Sequence, residues 1–212
     1  MRIENIRRIS TVLKMKNNSN YHLAKSGDFE SAQRLVNQTV TDCSVFKHLS
    51  GIVCPVQKPK GNAIPTALAL LMSANSKLIL SDSVYLQYTS HGSSMVERLY
   101  YHPNYSGIVK PCDYIIVDDV YTTGQTLKYL KKYLESRGAN VTAAYCLGAG
   151  PSTQFEPSRL LVKMLLAKFP SISNYFDIDC LTVPQIQYLL RLSSINRLWE
   201  IHSDNQLALC FA

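Results

Sequence analysis

The spacing of apolar residues changes several times along the chain, and each change marks an element. Ile3, Ile6, Ile9 and Leu13 recur at near-helical intervals among Arg2, Arg7, Arg8, Lys14 and Lys16, with Glu4 the only acid, which predicts a basic amphipathic helix over residues 1–16. The run KNNSN, 16–20, breaks it, because Asn and Ser side chains compete for backbone hydrogen bonds outside helices. A second helix follows, with Asp28 as N-cap and Phe29, Ala32, Leu35, Val36 and Val40 as the stripe that docks on the core. From residue 51 the pattern shortens. GIVCPV, 51–56, and KLILS, 77–81, are short apolar runs expected to be buried strands, and residues 63–72 between them are helical in composition, with Pro65 tolerated in the first turn.

Residues 82–110 mix Ser, Tyr, His, Asn and Gly without a sustained period and are too long for an ordinary connection. YIIV, 114–117, is expected as a strand that ends in paired aspartates. A helix opens near Gly124, carries Leu127, Leu130 and Leu134 on one face, and stops at a C-cap signal, Gly138. NVTAAYCLGA, 140–149, supplies the next strand, and three helices are expected beyond Pro151, at 157–168, 183–192 and 194–202. Strands that alternate with helices predict an α/β fold on a parallel sheet with right-handed crossovers. The expected organisation is a helical N-terminal extension (1–45), the α/β core (46–150) and a helical C-terminal cap or hood (151–212).

Composition narrows the partners. The chain has 212 residues, a formal charge of +7 and a pI near 9.1, which favours anionic partners: phosphorylated small molecules, nucleic acid or an acidic protein. Its six cysteines (Cys43, Cys54, Cys112, Cys146, Cys180 and Cys210) are widely spread, with no CxxC and no Cys/His cluster at metal-ligand spacing, so they read as reduced thiols. No segment approaches the roughly 20 apolar residues of a membrane span, and the N-terminus lacks the apolar run of a signal peptide. A cytoplasmic protein without membrane contact is expected.

The candidate chemistry lies in DYIIVDDVYTTGQTL, 113–127. A strand that ends in Asp118 and Asp119 and turns through Thr122, Thr123, Gly124, Gln125 and Thr126 into a helix puts these polar groups at the carboxyl edge of a parallel sheet, where open α/β sheets bind ligands. Successive turn amides and the helix N-terminus can donate to a phosphate, the threonine hydroxyls add donors, and Gly124 permits close backbone approach. Two carboxylates repel a phosphate. They suit the hydroxyls of a ribose one sugar away, with Mg²⁺ nearby through water or the same hydroxyls.

The stretch VDDVYTTGQT, 117–126, resembles the signature of type I phosphoribosyltransferases, in particular the Thr-Thr-Gly loops of orotate, pyrimidine-operon-regulator and competence-type members. The resemblance implies a parallel-sheet type I phosphoribosyltransferase-like core that binds phosphoribosyl pyrophosphate, or a nucleotide, with Mg²⁺ through Asp118, Asp119, Thr122, Thr123, Gly124, Gln125 and Thr126. It also implies a second anion-binding turn of unusual peptide geometry after the first core strand. That segment here is Pro55, Val56, Gln57 and Lys58, made basic by Lys58 and Lys60. A long loop that closes over the reacting centre matches residues 85–107, where Arg98 is the candidate to reach leaving-group phosphates, with Glu97 and His91 behind it. Family chemistry would be transfer of the phosphoribosyl group to a nitrogen acceptor.

The acceptor stays open. In the hypoxanthine-guanine type an aspartate occupies the position of Thr122, and the orotate type has a lysine-rich hood, whereas no lysine lies between Ser81 and Val109 here. A non-catalytic, nucleotide-sensing regulator and an effector of a defence or toxin system working with a protein or nucleic-acid partner are the alternatives. Residues 181–203 read as helix, Ser-Ser turn, helix, with Thr182 as N-cap and Ile186, Leu189, Leu190, Ile195, Leu198 and Trp199 inward. Arg197 is the only basic residue of the second helix, against Glu200, which suits a hood or an oligomer-forming subdomain better than a DNA reader.

Overall fold

The computed structural model describes residues 3, 5–58, 61–88, 94–100, 102–150 and 152–197. In chain order the elements are β1 (Arg7–Thr11), α1 (Val12–Lys16), α2 (Tyr21–Ser26), α3 (Phe29–Thr39), β2 (Ser50–Pro55), α4 (Ile64–Ala74), β3 (Lys77–Leu80), β4 (Val84–Tyr88), α5 (Met95–Tyr100), β5 (Asn104–Gly107), β6 (Asp113–Tyr121), α6 (Gln125–Glu135), β7 (Asn140–Ala149), α7 (Arg159–Lys168) and α8 (Val183–Arg191). Five strands pair in the order β1-β7-β6-β2-β3, every pair parallel, and β4 and β5 form a separate antiparallel pair.

The period of two along β6 decides the layers. Ile115 and Val117 pack on one face with Leu35 and Val36 of α3 and Leu68 and Met72 of α4. Tyr114 and Ile116 pack on the other with Leu127, Leu130 and Leu134 of α6, the stripe expected from sequence. Parallel strands covered on both faces read as continuous apolar runs, and β6 and β7 do. Asp28 caps α3 as predicted, its carboxylate accepting from the Ser31 amide at 2.8 Å.

The N-terminal residues depart from expectation. Instead of one basic helix over 1–16, residues 7–11 form β1, an edge strand beside β7, and only 12–16 are helical. Ile3 and Ile6 are buried with the α6 layer and Ile9 packs against the opposite layer, so the spacing by three is satisfied by a chain crossing the sheet edge. Leu13, expected in the same stripe, is exposed. Arg2 and Glu4 lie outside the described residues.

The described residues of the insertion at 82–110 form β4, α5 and β5, with Val84 and Leu86 buried and Tyr85 between them exposed. Its helix α5 joins the C-terminal cap. Val96 and Leu99 share one apolar cluster with Leu165, Phe169, Ile172, Ile186 and Leu189. Thr182 starts α8 in a capping box, its amide donating to Gln185 Oε1 at 2.9 Å. The helices expected at 157–168 and 183–192 are α7 and α8. Most of the third, including Leu198, Trp199 and Glu200, lies outside the described residues.

Candidate functional site

β6 runs past YIIV to Tyr121, because β7 continues beside it with Asp118 opposite Cys146 and Tyr121 opposite Ala149. The aspartates therefore sit inside the strand near its carboxyl end, not beyond it, and neighbours in a strand face opposite sides. Asp119 turns to the α2 side, where the Lys25 ammonium forms an ion pair with its Oδ2. Asp118 accepts from the Asp119 amide at 2.8 Å and feels Tyr105 and Cys146 on the other side. Both are almost wholly buried.

Burial drives the Asp118 carboxyl well above the usual range, and the adjacent Asp119 charge adds to the rise. Burial, the largest single influence, would lift Asp119 as well, but Lys25 together with hydrogen bonds from Asp118 and the Val120 backbone holds that carboxyl below the usual range. The two carboxyls are thus pushed in opposite directions, Asp118 up and Asp119 down, the second against an ammonium.

Beyond the strand, Gly124 adopts φ +83° and leads into α6, whose first backbone bond runs from the Lys128 amide to Gly124 O at 3.0 Å. Only glycine fits: a Cβ there would come within 2.3 Å of the Tyr121 ring. Thr122 is exposed and Thr123 buried, so the turn offers both hydroxyls and amides at the head of a helix. The Gln125 side chain is committed elsewhere, donating to Arg98 O, which also accepts from Gln185 at 3.1 Å. Arg98 itself reaches back, Nη1 to Thr122 Oγ1 at 3.4 Å.

The segment 55–58 lies alongside. Val56 is buried and its amide donates to Val117 O at 2.8 Å, stitching the turn to the strand beside Asp118. Gln57 O accepts from the Leu86 amide at 2.8 Å. Burial and then the Lys25 charge push the Lys58 ammonium below its ordinary value, while the charges of Asp118 and Asp119 oppose them. Among the described residues no peptide bond is cis. Lys60 and His91 lie outside the described residues.

The structure thus brings Asp118, Asp119, Thr122–Thr126, Lys58 and Arg98 to one sheet edge. Sequence reasoning missed Lys25, which stands in a helix that the pattern did not predict. A cleft of about 650 Å³ between α6 and the cap contains none of these residues. Its lysines are already paired: Lys128 with Glu156, Lys131 with Glu135, and Lys132 with Asp177.

No group of three or more potential metal ligands occurs among the described residues. Two adjacent carboxylates suit only an ion that brings most of its oxygen ligands as water or from a bound donor, which is the habit of Mg²⁺. Five described cysteines are free thiols, and no described helix is long and apolar enough to cross a membrane.

A parallel α/β sheet with an acidic pair and a threonine-glycine turn at its carboxyl edge has its polar groups where open α/β sheets bind ligands. Residues 83–179 match the family model of the phosphoribosyl transferase domain, so this part of the chain is phosphoribosyltransferase-like. It is 32% identical over 147 residues to protein TraN of Escherichia coli, covering 64% of this chain and 33% of that one. A Haemophilus influenzae protein is 35% identical over 126 residues, covering 54% of this chain and 28% of its own. The chain therefore spans about a third or less of these relatives.

A short segment of 33 residues, 16% of this chain, is 64% identical to part of a Lactococcus lactis hypoxanthine-guanine phosphoribosyltransferase, 18% of its length. Among solved structures, an orotate phosphoribosyltransferase from Aeropyrum pernix aligns at TM-score 0.36 and 21% identity, over 64% of this chain and 67% of that one.

Proposed function

We propose that the chain binds phosphoribosyl pyrophosphate, or a nucleotide, at the carboxyl edge of β6 and transfers the phosphoribosyl group to a nitrogen acceptor. The observation that carries the reading is the buried, electrostatically divided Asp118–Asp119 pair directly ahead of the turn 122–126 and the α6 N-terminus. The turn amides and the hydroxyls of Thr122, Thr123 and Thr126 hold the 5-phosphate. Asp119 and Asp118 accept from the ribose hydroxyls. Lys58, and Arg98 from α5, face the anionic leaving group.

Displacement at the ribose C1 passes through an oxocarbenium-like transition state, so positioning and electrostatics suffice without a protein nucleophile. Mg²⁺, when bound, would neutralise departing pyrophosphate charge. The α5 hood, tied to the turn through Gln125 and Arg98, restricts water at the reacting centre.

A nucleotide-sensing role uses the same pocket, and Thr122 favours it by offering no acid or base on the acceptor side. Pyrophosphate release, followed with phosphoribosyl pyrophosphate, Mg²⁺ and a panel of bases and amines, separates the two. Acceptor-dependent release is expected for the transferase. Binding of the donor without any such release would replace transfer by sensing.

A further inference from the structure

We propose that Lys25 is a built-in cation of the donor site, compensating the Asp118–Asp119 pair for an anionic donor, a task otherwise left to a divalent ion. The proposal rests on the donor reading above. Two carboxylates beside a phosphate cradle oppose a polyanionic ligand unless positive charge stands between them. In this chain a side-chain ammonium already contacts one of them, at Asp119 Oδ2.

The placement is built into the backbone. The α2 carboxyl end is fastened to residues 61–63, downstream of the basic turn at 55–58: the Asn62 amide donates to Lys25 O at 2.8 Å and the Ala63 amide to Ala24 O at 3.0 Å. Gly27, at φ +108°, ends α2 against Gly61 so closely that a Cβ would lie 3.2 Å from the Gly61 Cα. Lys25 therefore arrives from a fixed point, while its stem leaves the ammonium free to shift between carboxylate and donor. The Lys25 side chain remains 37% exposed at this edge. It lies well before the segment 83–179 that matches the family model, so the N-terminal residues complete the site.

The test is calorimetric titration of phosphoribosyl pyrophosphate into wild type, Lys25→Met and Lys25→Arg, once with saturating Mg²⁺ and once with chelator. Lys25→Met should lose about tenfold or more in affinity in chelator, the scale of one lost charge contact, and clearly less with Mg²⁺. Lys25→Arg, which keeps the charge, should preserve the wild-type ratio between the two conditions. An equal loss in both conditions, or none, would overturn the proposal, as would lowered thermal stability with unchanged binding. A wild type that ignores the donor in both conditions would instead refute the donor reading itself.

Discussion

At the donor edge, charged and hydroxylated side chains meet around one strand-turn-helix, whereas the hood over it is an apolar cluster gathered from α5, α7 and α8, far apart in sequence. The donor edge is held by directed contacts: an ion pair, a left-handed glycine and backbone bonds between parallel strands. The hood is held by packing, with Gln125 and Gln185 meeting at the Arg98 carbonyl as its polar seam to the site. On the proposed reading, a ligand half with invariant chemistry, phosphate and ribose, needs the first kind of construction. A half that selects an acceptor can be rebuilt by changing side chains that merely fill space.

Changes that separate the two regions test this division. The largest effect should come from the hood interior: Leu189→Ala removes a fully buried side chain and should cost about 2–5 kcal/mol in urea unfolding. Donor affinity should stay within about threefold, because distant sites add independently. A parallel collapse of donor binding would mean that the hood and the donor edge form one unit.

Next, Gly124→Val forces a branched side chain onto a left-handed residue and into the Tyr121 ring. Displacing the turn by about 1 Å should weaken donor binding roughly a hundredfold by calorimetry. Unaltered affinity would show that the turn does not hold the phosphate.

The smallest effect is a pH dependence. Asp118 has its folded-state pKa raised above 3.8, so over the interval between those values the folded chain retains a proton that the unfolded chain releases. Stability from this group is therefore complete below pH 3.8 and is lost as pH rises toward the folded value. Asp118→Asn lacks that loss, and its oxygen can still accept from the Asp119 amide. Its melting temperature relative to wild type should rise from acid to neutral pH, and a difference independent of pH would contradict the assignment.

The same contrast explains what could be read in the sequence. The 113–127 loop was legible because amides, glycine and carboxylates act within a few residues of one another, and the Leu127, Leu130, Leu134 stripe because helix periodicity is local. β1 was not, since Ile3, Ile6 and Ile9 fit a helix as well as an edge crossing, and only pairing with β7 decides between them. β4 hid its period in five residues, where buried Val84 and Leu86 flank exposed Tyr85 among polar neighbours. Lys25 could not be found at all, because its partner Asp119 comes close only through the fold. The apolar residues of α8 were expected to face inward, but nothing local showed that they would meet Val96 and Leu99 of the insertion.

The most direct measurement is titration of phosphoribosyl pyrophosphate with Mg²⁺ into wild type and the Asp118→Asn, Asp119→Asn double variant. Two charge-assisted hydrogen bonds at about 1.5–3 kcal/mol each imply a loss of roughly a hundredfold or more in the double variant. Equal affinity in the two proteins would remove the acidic pair from the ribose site, and with it the donor reading of this sheet edge.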